Sequence, residues 1–304
     1  MPRIELTGLR GDLPIGAMAA FGVLRLCGRL PGFAGSKLCW ESGRGADYAA
    51  LEAPDGCTRL SLVVTLLEDV KTASWRPELT WRDQIKNATV EDFRMHAAAA
   101  IRSASARDRG AADWFAAFAT ELKTKEGRVE STPFDMTGAR QRFLADALKL
   151  AQGLCQDRPR GKTAEESYRE ALFGPWKYED DQHSLGWDPT TIKLGAFTHK
   201  APTTMANAGV RAAVWLAFES LPLFPCFWPV PRRHAFYWPV WRSPAGVEVV
   251  ASLLGWLAGA KPDEMRARGI ASVYRSEIFK PNKYLFNFRS PELVFGGMPA
   301  AGAV

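Results

Sequence analysis

The chain has 304 residues, of which 47% are hydrophobic, 24% charged and 11% aromatic. This composition is that of a globular chain with enough residues for one large domain or two average ones, and it excludes extended disorder, collagen and coiled coil. Residues 1–181 contain equal numbers of basic and acidic side chains, so residues 182–304 carry the whole net charge of +6. A basic region favours a polyanionic partner.

The N-terminal part predicts a mixed α/β arrangement. Residues 4–14 alternate briefly and predict a strand or an extended lead, and residues 15–30 place apolar side chains at helical spacing. Two alternating runs, 37–41 and 47–52, flank a glycine-rich turn. We therefore expect a β-hairpin there.

Helical periodicity dominates the middle of the chain. Apolar stripes predict helices at residues 58–70, 90–106, 111–122, 138–154 and 164–173. Thr163 lies three residues before Glu166, the spacing of a capping box, and Gly174-Pro175 is a stop signal. We therefore expect the last of these helices to begin directly after Thr163 and to end before Gly174.

The C-terminal part is aromatic, basic and rich in proline. Helices are predicted at 204–221 and 247–257, strands at 234–242, 270–279 and 284–288, and a flexible tail at 298–304. Turn residues concentrate at 175–190, so we expect a boundary between an N-terminal domain, 1–175, and a basic aromatic-rich C-terminal domain, 176–304. Together the three parts predict an α+β fold.

The cysteines and the apolar stretches indicate a cellular setting. The five cysteines are scattered and form no C-x-x-C pair, which disfavours a disulfide framework and a zinc ribbon. No apolar stretch reaches the roughly 20 residues of a membrane helix. We therefore expect a cytoplasmic protein without a membrane partner.

One acidic segment is the best candidate for metal-dependent hydrolysis. It contains Glu179, Asp180, Asp181, His183 and Asp188. Clustered carboxylates beside an imidazole can hold a divalent cation, but this spacing matches no metal motif, and an acidic loop is most often solvated surface. Nucleophile elbows and phosphate-binding loops are also missing from the sequence. We therefore predict no catalytic residue, metal or cofactor, and keep a metal-dependent hydrolase or nuclease as an alternative.

The stretch 224–242 is the least ordinary part of the sequence. Its arginines can bind phosphate oxygens bidentately, and Trp228, Tyr237 or Trp241 can stack on an unpaired base. The alternative is that Phe236, Trp238 and Trp241 are core residues of a strand. The predicted phosphate contacts are Arg232, Arg233 and Arg242, with Lys193, Lys200, Arg211, Lys280, Lys283 and Arg289 as lesser ones.

Several blocks, in order along the chain, carry a family resemblance. Residues 5–25 read ELTGLRGDLPIGAMAAFGVLR, and residues 133–143 read PFDMTGARQRF. WDP at 187–189 leads to AFESLPLFP at 217–225, and FYWPVW follows at 236–241. This ordered set resembles large-subunit proteins of the type I-G, formerly I-U, CRISPR-associated surveillance complexes.

The resemblance implies a non-enzymatic large subunit that works in antiviral defence. Such a subunit would contact the guide RNA, read the short motif that flanks the target and support the target DNA, alongside the other effector-complex subunits. Cleavage would belong to a recruited helicase-nuclease. Base pairing would carry sequence specificity, and the protein would supply positive charge and a few base contacts. A second alternative is a scaffold that docks another subunit through 224–241 and does not touch nucleic acid.

Overall fold

The computed structural model of the chain describes residues 1–43, 45–105, 109–138, 141–155, 161–181, 184–191, 208–226, 234–282 and 285–296. Helices and strands are mixed along these ranges, which confirms the prediction of an α+β fold. In this described part of the chain, no helix is long and apolar enough to span a membrane.

A three-stranded antiparallel sheet and one long helix form the N-terminal part. The elements are β1 (Arg3–Arg10), α1 (Pro14–Arg29), β2 (Lys37–Ser42) and β3 (Asp47–Glu52). The strand order is β1-β3-β2, so β3 is central and pairs with β2 as the predicted hairpin. Successive side chains of a strand point to opposite faces of its sheet, and in β1 the side chains on one face are buried while those on the other are exposed.

Helices make up most of the middle of the chain, as predicted. They are α2 (Arg59–Lys71), α3 (Pro77–Thr80), α4 (Val90–Ser103), α5 (Gly110–Phe118), α6 (Phe143–Cys155) and α7 (Ala164–Phe173). The Thr163 and Glu166 side chains each bond the other residue's backbone N–H at the start of α7, which confirms the predicted capping box. The same helix stops before Gly174.

The predicted helix at 111–122 is wrong in its last turn. The chain leaves α5 after Phe118 and forms a hairpin of β4 (Ala119–Lys125) and β5 (Arg128–Ser131). Glu126 and Gly127 both have positive φ, 56° and 72°, as the tight turn of a hairpin requires. Leu122 lies at the spacing expected for the apolar face of a helix, but on β4 its side chain is 71% exposed. Pairing between β4 and β5 therefore decides the local structure here, and the apolar spacing does not.

The C-terminal part is built around one long strand. Its elements are α8 (Arg211–Glu219), β6 (Ala235–Trp241), α9 (Val247–Trp256), α10 (Pro262–Ala267), β7 (Ile270–Asn282), β8 (Leu285–Phe288) and β9 (Glu292–Gly296). β6 and β9 pair with the same residues of β7 from opposite edges, and β8 pairs with its second half. The predicted strands and the predicted helix at 247–257 are confirmed, and the predicted helix at 204–221 is confirmed only over Arg211–Glu219, because Gly209 is bridged to Asp180. Residues 204–207, residue 284 and the tail 298–304 lie outside the described ranges.

A single large cluster of buried apolar side chains extends from Ile4 to Phe288. A smaller cluster around Leu257 and Val273 lies beneath α10 and β7. The large cluster draws members from both sides of position 175. The proposed boundary between residues 1–175 and 176–304 stays a prediction.

The helices α1 and α8 cross at very close range. A Cβ atom placed on Gly22 would lie 1.8 Å from the carbonyl oxygen of Leu216, far inside contact distance. The neighbouring positions are small as well, including Ala19 on α1 and Ala213 on α8, both fully buried. Only glycine at position 22 therefore allows the two backbones to pack at this distance.

A buried carboxylate joins the same two helices. Glu219, at the end of α8, is 0% exposed, and its Oε2 accepts a hydrogen bond of 2.9 Å from Arg25 of α1. Its Oε1 accepts a hydrogen bond from Arg76. Burial alone would raise the pKa of Glu219, but Arg76 and Arg25 outweigh burial and hold that pKa below its ordinary value. The charged carboxylate therefore ties α1, α8 and the segment before α3 together.

Replacing Gly22 with alanine is expected to lower the free energy of unfolding by about 3 kcal/mol or more, because the new methyl group must push α1 and α8 apart. Denaturant titration measures the change. Gly28→Ala is the matched control on the same helix, since its Cβ would meet only Val247 Cγ1 at 3.7 Å. A Gly22→Ala protein as stable as Gly28→Ala would contradict the close crossing.

Replacing Glu219 with glutamine leaves two partly buried arginines, Arg25 and Arg76, without their buried anion, and we expect a loss of about 3–5 kcal/mol in the free energy of unfolding at neutral pH. Because the pKa of Glu219 is lower in the folded state, its stabilisation is present above the unfolded value of about 4.3 and is lost as pH falls through the folded value. The difference in stability between the wild type and Glu219→Gln should therefore shrink as the pH falls. Thermal unfolding measured across a range of pH checks this.

Glu5→Gln is the control for this measurement, because the exposed Glu5 lies 3.7 Å from Arg59. A surface pair of this kind contributes less than about 1 kcal/mol. A Glu219→Gln protein that differs from wild type by the same amount at every pH would contradict the ion-pair assignment.

Candidate nucleic-acid interface

Arg242, predicted as a phosphate contact, is engaged within the chain. It follows β6, and its guanidinium forms two hydrogen bonds with Asp47, of 3.0 and 3.2 Å, and one of 3.0 Å with the carbonyl of Trp40. These contacts fasten the C-terminal sheet to β2 and β3. The fork that was expected to bind a phosphate is therefore used to bind a carboxylate.

Arg211 is buried at the start of α8, with only 2% of its surface exposed. Its side chain donates a hydrogen bond of 2.9 Å to the carbonyl of Gly153 on α6. Its backbone N–H donates to Asp180 at 2.8 Å. The residue thus packs α8 against α6 and presents no surface to a ligand.

Lys280 and Arg289 lie close in the C-terminal sheet but on opposite faces. The Arg289 guanidinium sits 4.8 Å from the ring centre of Phe279, which alternates with Lys280 along β7. Lys280 lines a cleft on the other face. The remaining predicted cations lie outside the described ranges: Lys193, Lys200, Arg232, Arg233 and Lys283.

Three of the four aromatic residues of β6 are core residues, and the fourth, Tyr237, is partly buried against the smaller cluster. Phe236, Trp238 and Trp241 are each at most 3% exposed, and the two tryptophan N–H groups donate to the carbonyls of Gly11 and Leu38. Trp241 is therefore not available to stack on a base. Trp228 lies outside the described ranges.

The acidic segment uses two of its carboxylates for local structure. Asp180 Oδ2 accepts the backbone N–H of Arg211, and Asp188 Oδ1 accepts both the backbone N–H and the hydroxyl of Thr190. Glu179 lies 3.6 Å from Lys162, and His183 lies outside the described ranges. Where the structure describes the chain, no group of three or more His, Cys, Asp or Glu side chains is placed to hold a metal ion.

A cleft of about 640 Å³ with a mixed polar and apolar lining opens where the β4–β5 hairpin meets β7 and β8. Its volume falls in the range of about 300–1,000 Å³ typical of ligand sites. The lining residues that matter most are Lys86, Pro133, Asp135, Ile278, Lys280 and Phe286. His234, which follows Arg233 in the sequence, also lines the cleft.

The loop 132–138 forms one wall of the cleft, and the core holds it from behind. Phe134 packs on the rings of Phe224 and Phe236, with centroids 5.0 and 5.4 Å away, and Trp187 donates a hydrogen bond of 2.9 Å to its carbonyl. Met136 is 1% exposed. With Phe134 and Met136 fixed in the core, the intervening Asp135 lines the cleft.

Asp135 binds its neighbours through one carboxylate oxygen. Its Oδ1 accepts the backbone N–H and the hydroxyl of Thr137 and lies 2.9 Å from the Lys86 ammonium group. Its Oδ2 is buried without a hydrogen-bond partner among the described residues. Burial raises the pKa of Asp135 although Lys86 and Thr137 act to lower it.

Two ammonium groups share the ring of Phe286. The Lys280 Nζ lies 4.3 Å and the Lys86 Nζ 5.4 Å from its centroid, within the range in which a cation is attracted to an aromatic ring. Lys86 also donates a hydrogen bond of 2.7 Å to the carbonyl of Thr137. Among the residues that the structure describes, no carboxylate pairs with Lys280. The ring and the loop thus hold two ammonium groups in one cleft, and among the described carboxylates Asp135 pairs with only one of them, Lys86.

Sequence reasoning identified Lys280 but missed Lys86, Asp135 and Phe286. Asp135 belongs to the PFDMT stretch, which was singled out only as part of a resemblance. Phe286 alternates within the predicted strand 284–288, and that alternation was a usable signal. Lys86 lies in a short 3-10 helix, Ile85–Asn87, and no local pattern marks it.

A scan of family models, a search of curated proteins and a search of solved structures found no match to this chain. The candidate interface therefore rests on the geometry of the cleft.

Replacing Asp180 with alanine is expected to lower the free energy of unfolding by about 1 kcal/mol, as for the loss of a helix-capping carboxylate. Because Asp180 acts through the Arg211 N–H, the loss should be the same with magnesium chloride as with EDTA, which thermal unfolding in both buffers measures. Magnesium that stabilises the wild type and not Asp180→Ala would instead favour the metal-dependent alternative.

Proposed function

We propose that this chain is a non-enzymatic nucleic-acid-binding subunit of a cytoplasmic RNA-guided surveillance complex, of the type I-G kind that its sequence resembles. Its ligands are the guide RNA and the target DNA, and its partners are the other effector-complex subunits. A recruited helicase-nuclease carries out cleavage. The cleft beside β7 and β8 is the part of this chain that contacts nucleic acid.

The observation that carries the proposal is the pair of ammonium groups held over Phe286. Phosphate oxygens are bound by lysines in most nucleic-acid interfaces, and a cation whose charge is not neutralised by a carboxylate binds them best. Lys280 meets that condition, and the aromatic ring fixes its position. The cleft also adjoins His234, directly after Arg232 and Arg233 in sequence.

The shape of the cleft favours an unpaired strand over a duplex. It combines cations with the apolar surfaces of Pro133, Ile278 and Phe286, and single-strand sites typically pair a basic groove with surfaces on which bases pack. A duplex presents phosphates but keeps its bases stacked inside. We therefore place a single-stranded segment, such as an end of the guide RNA, in the cleft.

Replacing Lys280 with glutamine should weaken binding of a single-stranded oligonucleotide and remove one phosphate contact. The slope of log affinity against log salt concentration should become shallower by about 0.7, the value for one contact on a single strand. Fluorescence anisotropy over a salt series measures both quantities.

Lys71→Gln is the matched control, since Lys71 is an exposed lysine of α2 that does not line the cleft. It should leave affinity and slope near the wild-type values. If both variants bind as the wild type does, the cleft is not the interface, and the scaffold alternative gains support.

A further inference from the structure

Helix α4 has a solvent-facing side on which apolar and charged residues follow one another in a regular order. Phe93 and Ala100 are buried on the side of the helix that faces the core. The opposite side carries one stripe of residues at spacings of three or four: Glu91, Met95, Ala98 and Arg102. Met95, in the middle of this stripe, is 60% exposed, so burying it against a partner would gain free energy.

The stripe has opposite charges at its two ends. Glu91 lies in the first turn of α4 and Arg102 in the last turn, and both are exposed. Neither forms an ion pair with another described residue. Arg94, the other arginine of α4, is bound to Glu121 of β4 at 2.9 Å and does not compete for Glu91. Within the described chain, both ends of the stripe therefore keep charges that a partner could neutralise.

Three residues of the stripe, Glu91, Met95 and Ala98, also line a groove of about 710 Å³ between α4 and the turn of the β4–β5 hairpin. The two sides of the groove are joined, because the Val90 N–H donates a hydrogen bond of 3.0 Å to the carbonyl of Gly127. The ion pair between α4 and β4 joins the same elements. The groove is therefore a preformed concave surface beside the helix, and a second helix can lie along it.

We propose that this face binds a second copy of the chain, with the two α4 helices antiparallel about a two-fold axis between Met95 and Ala98. Glu91 of each copy then faces Arg102 of the other, and Met95 of each copy packs on Ala98 of the other, because both pairs of positions are centred on the same point of the helix. A two-fold axis requires a surface that is complementary to itself, and this order of charges meets that requirement. Antiparallel packing also brings opposite ends of the two helix dipoles together.

The contact of one helix face with another is small, and this sets the strength of the dimer. Such a contact buries less than the roughly 1,200 Å² of a standard interface, so we expect a dissociation constant on the order of 10 μM. Every contact occurs twice across the axis, so one substitution changes two contacts. The pairing goes beyond the proposed function and uses none of the residues that line the cleft beside β7 and β8.

Sedimentation equilibrium of the purified chain over a series of protein concentrations measures this dissociation constant. Glu91→Arg and Arg102→Glu each place like charges opposite one another at two points, and we expect each to raise the dissociation constant by about tenfold or more. The double variant, Glu91→Arg with Arg102→Glu, again places opposite charges together in reversed order. Its dissociation constant should return to near the wild-type value.

Glu165→Arg is the matched control, because Glu165 is an exposed acidic residue in the first turn of α7 and lies outside the face. It should dimerise as the wild type does. A wild type that stays monomeric at about ten times the expected dissociation constant would overturn the inference and leave the proposed function standing. Loss of the other effector-complex subunits from Glu91→Arg would then assign the face to one of them.

The single and double variants test the pairing itself. Single variants that dimerise as tightly as the wild type would overturn the contact between Glu91 and Arg102. A double variant that stays as weak as the single variants would overturn the antiparallel arrangement.

Discussion

The close crossing of α1 and α8 at Gly22 is the constraint on which the rest of the structure depends. α1 also packs on strands of both large sheets, and α8 packs on α6 and α7, so the two helices connect the sheets with helices of the middle part. Their separation is fixed by backbone contact, because Gly22 meets the carbonyl of Leu216 directly. Glu219 adds charge complementarity with Arg25 at the end of the same crossing. A change in this distance would move the elements on both sides.

The geometry of the cleft depends on that helix crossing through a series of packed aromatic side chains. A short 3-10 helix, Leu221–Leu223, follows α8 and delivers Phe224 to the core, where it packs on Phe21 of α1 and on Phe134. Phe134 in turn fixes the loop that carries Asp135. Aromatic packing in the core thus positions the loop side chains that line the cleft, because a rigid core restricts where a loop can lie.

Much of the fold could be predicted from the sequence, because periodicity and capping are local. The capping box at Thr163 and the hairpin of β2 and β3 follow from adjacent residues alone. The helix at 111–122 failed in its last turn because β4 depends on pairing with β5. The site was harder still. Arg242 and Lys280 look alike in sequence, yet Asp47 neutralises one while the other stays unpaired within the described chain. Only tertiary contacts distinguish them.

Ultraviolet cross-linking of the tagged protein in its native cells, followed by sequencing of the bound nucleic acid and mass spectrometry of the cross-linked peptides, tests the central claim most directly. We predict repeat-derived guide RNA of uniform length, with cross-links on the peptides that carry Phe286 and the loop 132–138. Recovery of the protein without nucleic acid, or cross-links confined to peptides that do not line the cleft, would contradict the assignment of the cleft as the nucleic-acid interface.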